Sequence, residues 1–184
     1  MMFKLDYKKF LTITALVFSF GIFFCCGSIA KAANVGDITY FNVDKGFDAG
    51  GRTQISASLV KISSRIYFYI EKVWLDSQTQ AKQAEILAHL DTLSNEFDSN
   101  IYPTLNSVFG SEWTPGIDKD SRITVLFESI NSNEGGYFRE TDEYEKIQLP
   151  SSNEREMVYL SASIIDSPNI KAVLAHEFTH LITF

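Results

Sequence analysis

His176-Glu177-Phe178-Thr179-His180 constrains this chain more than any other feature. Two histidines four residues apart lie on one face of a helix, about one turn from each other. That spacing lets two imidazoles hold one Zn²⁺, with the intervening glutamate beside the metal as general base. Residues 173–182 carry no charge except Glu177. Stray charges on a packed helix would have to be desolvated, so the run predicts a helix buried in a core. Ser167 is the predicted N-cap and Pro168 the predicted first helical residue. Ile170, Val173, Leu174, Phe178, Leu181 and Ile182 spread apolar surface around most of its circumference. The competing reading is a buried helix with two hydrogen-bonded histidines and a surface glutamate.

Residues 1–32 read as a secretory signal peptide. Lys4, Lys8 and Lys9 form a basic start, residues 10–26 are almost wholly apolar, and Ala30-Lys31-Ala32 is a small-x-small cleavage site. Cleavage near Ala32-Ala33 is expected, giving a secreted bacterial protein with no stable membrane anchor. An uncleaved anchor is the alternative, because the apolar run is nearly long enough to span a bilayer. A lipoprotein using Cys25 or Cys26 is the weaker one, since bulky Phe23 and Phe24 precede them. Both cysteines fall inside this segment, so the remainder has no disulfide to staple it.

Charge excludes some partners. The whole chain has 16 Lys and Arg against 23 Asp and Glu. Without Lys4, Lys8, Lys9, Lys31 and Asp6, residues 33–184 carry 12 against 22, a net charge of -10. Such a surface repels nucleic acid and anionic membrane. Solubility accounts for it, and attraction of basic peptides is the secondary reading.

The 152 residues that follow are enough for one domain with its own core. Residues 33–52 are a polar, glycine-rich lead-in with one strand near 38–43. Residues 53–184 carry the regular structure. Strands are predicted at 54–62 and 65–73, joined by a tight turn at Ser63-Ser64. A helix is predicted over 79–97, where Ile86, Leu87, Leu90, Leu93 and Phe97 recur at helical spacing. His89 lies in it as a polar-face residue, not a ligand. Pro103 is expected to interrupt the pattern, with a short helix over 103–109. Residues 122–127 read as a central strand, Gly135-Gly136-Tyr137-Phe138 as a loop entering an edge strand, and 156–161 as a further strand. The fold class is α+β, one mixed, twisted sheet with two helices packed on it. Asp118-Lys119-Asp120 before the central strand has the spaced acids of a Ca²⁺ loop but not the rest of one, so a polar turn is favoured over a calcium site.

The stretch from about Ile55 to Phe184 resembles the N-terminal half of the catalytic domain of hyicolysin-type bacterial metallopeptidases. Immune inhibitor A and thermolysin-like zinc proteases are the more distant relatives. The resemblance rests on Phe97-Asp98, Ile101-Tyr102-Pro103, Gly116-Ile117-Asp118-Lys119-Asp120 and Ile123-Thr124-Val125-Leu126-Phe127. It continues through Gly135-Gly136-Tyr137-Phe138, Ser152-Asn153-Glu154-Arg155-Glu156-Met157 and the motif itself. It implies a zincin-like subdomain: a twisted sheet, a backing helix and an active-site helix. It implies Zn²⁺ on His176 and His180, Glu177 as the catalytic base, and a peptide or protein substrate. It also implies that an edge strand binds extended substrate, for which Gly135, Gly136, Tyr137 and Phe138 are the candidates.

Thr183 stands where the metzincin pattern H-E-x-x-H-x-x-G-x-x-H has glycine. The glutamate-zincin pattern, with a third ligand on a later helix beyond Phe184, fits better. The expectation is therefore the front part of a secreted zinc metalloendopeptidase, truncated after the motif helix and inactive as written. The alternative is a non-enzymatic exported peptide-binding or protease-related protein with a relic zinc site.

Overall fold

In the computed structural model, which describes residues 33–131 and 134–184, two apolar runs become neighbours at the centre of a sheet. They are β3 (Ile66–Glu71) and β4 (Ile123–Glu128), and every residue in them is buried. Strands covered on both faces read as unbroken apolar runs, the usual pattern of a parallel pair. They do pair in parallel, Ile66 opposite Ile123 and Ile70 opposite Phe127. β6 (Met157–Ser161) lies parallel to β4 on its other side. β2 (Gln54–Ile62) and β1 (Ile38–Asn42) extend the sheet antiparallel beyond β3. β5 (Gly136–Phe138) closes the far edge, antiparallel to β6. The order is β1-β2-β3-β4-β6-β5, a six-stranded mixed sheet in an α+β fold.

Side chains alternate across a strand, so each face has its own core. Ile66, Phe68 and Ile70 face the helices together with Val125, Phe127, Val158 and Leu160. The helices are α1 (Lys72–Asp76), α2 (Gln80–Glu96), α3 (Tyr102–Phe109) and α4 (Ile170–Thr183). Tyr67, Tyr69, Leu126, Met157 and Tyr159 point the other way, onto Phe41, Leu59 and Tyr137. The second core is aromatic, and its rings pack edge to face (Phe41 on Tyr69, 4.9 Å) and face to face (Tyr137 on Tyr159, 4.3 Å).

The predicted turn at Ser63-Ser64 is present. Ser63 N–H donates to the Ile66 carbonyl at 2.9 Å, and both serine hydroxyls donate to Asp98. The predicted strand over 65–73 ends earlier, at Glu71, and the chain turns directly into α1. A register shift between Leu59 and Lys61 moves Ile62 onto the aromatic face and sends Lys61 out to pair with Asp91.

Three expectations for the helices need correction. The short helix expected over 103–109 is present as α3, but Pro103 does not interrupt the pattern before it. A π-helical segment, Phe97–Ile101, runs on from α2 and passes into α3, where Pro103 falls in the first turn and needs no N–H. Nor is Ser167 the N-cap. It forms a turn, its carbonyl accepting Ile170 N–H at 3.1 Å and its hydroxyl accepting Asn169 N–H at 3.2 Å, so that α4 starts from Asn169. Finally, α4 is not buried all round: Lys171, Ala172, His176 and His180 are exposed.

Among the described residues no helix is long and apolar enough to cross a membrane. The segment 1–32, read above as an export signal, lies outside the described residues.

Candidate metal centre

α4 is fixed by its inner face. Leu174, Phe178 and Leu181 are buried at one-turn spacing in the helical core. Phe178 is the anchor: its ring lies 5.0 Å from Phe97 and 5.6 Å from Tyr102. With that face committed, residues 176 and 180 must point outward together. Their Nε2 atoms are 3.2 Å apart and the rings stand at 88° to each other. Two nitrogens on a tetrahedral zinc, each at about 2.0–2.1 Å, are about 3.4 Å apart. The pair therefore has the separation that a zinc ion needs. Thr179 and Thr183 turn their hydroxyls back onto carbonyls one turn earlier, at 2.8 Å each, and leave the outer face to the imidazoles.

Glu177 points to the buried side, 6 % exposed, over β5. Burial raises its carboxyl above the usual carboxylate range. His176 partly offsets that and Glu134 adds to it. A carboxylate held this way is a better proton acceptor than a solvated one.

Gly135 and Gly136 explain how the strand comes so close. A Cβ on Gly136 would lie 2.6 Å from the Tyr159 carbonyl oxygen and 3.0 Å from Glu177 Cγ. One on Gly135 would press on Val173 at 3.3 Å. The two glycines let the edge strand run directly beneath α4, beside the candidate base.

The rest of the predicted rim divides in two. Phe138 stays near the helix, its ring 5.8 Å from Phe184, which in turn lies 6.2 Å from Tyr144. Tyr137 does not: its side chain is buried on the opposite face, stacked between Phe47 at 4.4 Å and Tyr159 at 4.3 Å. Only its main chain belongs to the edge. β5 is the last strand on this side among the described residues.

Sequence reasoning missed Glu128, the buried partner of Tyr137. The Tyr137 hydroxyl donates to Glu128 Oε1 at 2.5 Å. Burial pushes the Glu128 carboxyl up to about 7; the Tyr137 bond opposes this and the charges of Asp48 and Glu71 reinforce it. Between about pH 4.5 and about 7 the folded protein holds a proton here that the unfolded chain has lost. Stability must therefore fall as pH rises through that window. Glu128→Gln is expected to remove this component, so that wild type and variant diverge most above pH 7. Denaturant titrations of both from pH 5 to pH 8 check it, and parallel curves would refute it.

His89 is exposed on α2, apart from the histidine pair, as expected of a polar-face residue. The acids of the 118–120 turn are largely committed within it. Asp118 accepts Asp120 N–H at 2.9 Å, and Asp120 takes the Tyr67 hydroxyl at 2.7 Å and the Arg122 guanidinium at 3.1 Å. That is the polar turn favoured from sequence.

Among the described residues no three His, Cys, Asp or Glu side chains are grouped so as to hold a metal ion. The described donor set is two imidazoles with a carboxylate beside them. No protein-family model matches the chain, and no curated protein matches it at a significant level.

Proposed function

We propose that this chain carries the active-site helix of a secreted, zinc-dependent metallopeptidase with a zincin-like arrangement. The carrying observation is the meeting of the His176 and His180 Nε2 atoms at 3.2 Å above a buried Glu177 that lies against an edge strand. The resemblance to hyicolysin-type enzymes agrees with that reading.

In it, His176 and His180 supply two nitrogen donors; among the described residues no third His, Cys, Asp or Glu is grouped with them. Zinc, when bound, polarises the peptide carbonyl and acidifies water. Glu177 takes the proton of the attacking water on its carboxylate and hands it to the leaving amine. The main chain of β5 aligns an extended peptide by antiparallel hydrogen bonds, with Phe138 at the near end of that edge.

One observation favours a second reading. Two neutral imidazoles at 3.2 Å also satisfy each other as an N–H···N hydrogen bond, with no metal. The protein would then be a peptide-binding one that keeps the geometry but not the chemistry.

Zinc titration separates the two. Calorimetry at pH 7.5 is expected to give one Zn²⁺ per chain. Outer-shell partners alone are worth about 10- to 100-fold in metal affinity, so loss of a direct ligand in His176→Ala or His180→Ala should cost on the order of 100-fold. Equal zinc affinity in wild type and both variants would defeat the proposal and leave the hydrogen-bonded pair.

A further inference from the structure

β5 is too short to hold its own place by its ladder. Gly136 lies opposite Leu160, Tyr137 opposite Tyr159 and Phe138 opposite Val158. In an antiparallel pair, alternate residues turn their main-chain groups to the neighbouring strand. Ser161 N–H donates to the Gly135 carbonyl at 2.9 Å, which puts residues 135 and 137 on the β6 side of that alternation. The main-chain groups of Gly136 and Phe138 therefore face the open edge. A peptide would pair with those groups, and their own side chains anchor them poorly. Gly136 has no side chain, and Phe138 leans on Phe184, which is itself exposed.

Tyr137, between them, carries the anchor. Its ring leaves β5 on the face away from α4 and enters the aromatic core. There it is stacked between Phe47, at 4.4 Å and 12° from parallel, and Tyr159, at 4.3 Å and 5° from parallel. Its hydroxyl donates to Glu128 Oε1 at 2.5 Å and accepts Asp44 N–H at 3.4 Å. Glu128 ends β4, two strands further in, and is fully buried. A carboxyl in that setting needs a donor. The Arg52 guanidinium is committed to Asp48 and Glu71. Among the described residues the Tyr137 hydroxyl is the one hydrogen-bond donor to Glu128, whose Oε2 has no partner.

The effect of this bond reaches the other face of the strand. Gly136 runs so close beneath α4 that a Cβ on it would lie 3.0 Å from Glu177 Cγ. With no slack on that side, the depth to which Tyr137 is drawn into the aromatic core sets how β5 lies against Glu177.

We propose that Tyr137, held by Glu128, is the positioning residue of the peptide edge, fixing the open main-chain groups of Gly136 and Phe138 beside Glu177. The proposal rests on the reading of β5 as the peptide-binding edge and makes no use of zinc. Tyr137 never touches the peptide; it acts through the strand that carries it.

The test is peptide binding by the whole protein, stripped of metal, followed by fluorescence anisotropy. One probe is a fluorescein-labelled peptide of alternating valine and lysine. The other is the same peptide N-methylated throughout, which removes every main-chain donor that strand addition uses. Wild type is expected to prefer the plain peptide. Tyr137→Phe keeps both ring stacks and loses only the hydroxyl. Its affinity for the plain peptide should fall roughly tenfold, the scale of one hydrogen bond to a charged group, with no change for the methylated one. A partly unfolded protein would lose both alike. Glu128→Leu, which withdraws the acceptor, should reproduce the selective loss. Glu128→Gln keeps an acceptor oxygen and should rescue the affinity that Glu128→Leu loses. An equal loss for both probes, or no loss, would overturn the role of Tyr137 and leave the edge standing. A wild type with no preference for the plain peptide would remove the edge and the proposal with it. Failure of the zinc titration would alter none of these outcomes.

Discussion

Phe178→Ala is expected to lower the unfolding free energy by about 3 to 5 kcal/mol, the range for deleting a fully buried aromatic ring. Phe178 has no exposed surface, and it touches Phe97 of the π-helical segment and Tyr102 of α3. Those three rings join the motif helix to the backing helices. Removing the middle one opens a cavity that rigid sheet and helix can refill only in part. Urea unfolding followed by circular dichroism measures the loss. Phe184→Ala is the control: that ring is 57 % exposed and its removal should cost little. A loss below about 1 kcal/mol for Phe178→Ala, the size of an ordinary surface change, would mean that α4 is held by something other than this cluster. The same variant should bind zinc more weakly, because the histidine pair depends on the rotation of α4 that Phe178 fixes.

The second large effect concerns Glu177. Glu177→Gln keeps the shape and burial of the side chain and removes its ability to accept a proton. Positioned general bases contribute about 10²- to 10⁴-fold, so peptide hydrolysis in any active form of this protein should fall by that factor. Zinc affinity should hardly change, since Glu177 stands beside the two imidazoles rather than between them. Turnover retained in Glu177→Gln would remove the residue from the mechanism. Zinc lost together with turnover would make it a ligand instead. Both measurements are needed, because a drop in activity alone would also follow from a disturbed helix.

Much of this architecture is legible from local pattern. The apolar runs at 66–70 and 123–127 announce central strands, and the periodic leucines of 79–97 announce the backing helix. The motif helix and the outward pairing of His176 with His180 follow from four-residue spacing and from the commitment of Leu174, Phe178 and Leu181 to the core. Local rules fail where a residue has two legitimate uses. Ser167 and Pro168 look like a cap and a first turn, yet Ser167 makes its bonds one step earlier. Pro103 looks like a break, yet a π-helical segment absorbs it.

The candidate rim shows the same limit. Gly135-Gly136 reads as a loop entering an edge strand, but its reason is contact with α4, made across about forty residues of sequence. Tyr137 reads as part of the substrate-binding rim, yet its side chain is buried, because strand alternation sends it to the aromatic core. Glu128 is invisible as a special residue. It is an ordinary acid in its local sequence, and only the packed sheet deprives it of water.

The brevity of β5 has a consequence for how copies of this protein meet one another. Three residues rise only about 10 Å along the strand. A bare sheet edge invites another chain to add to it, and long flat edges do so indiscriminately. An edge this short offers a partner only a few main-chain bonds, too few to grow a sheet from molecule to molecule. On this side of the sheet, a short edge is in this way a brake on sheet growth.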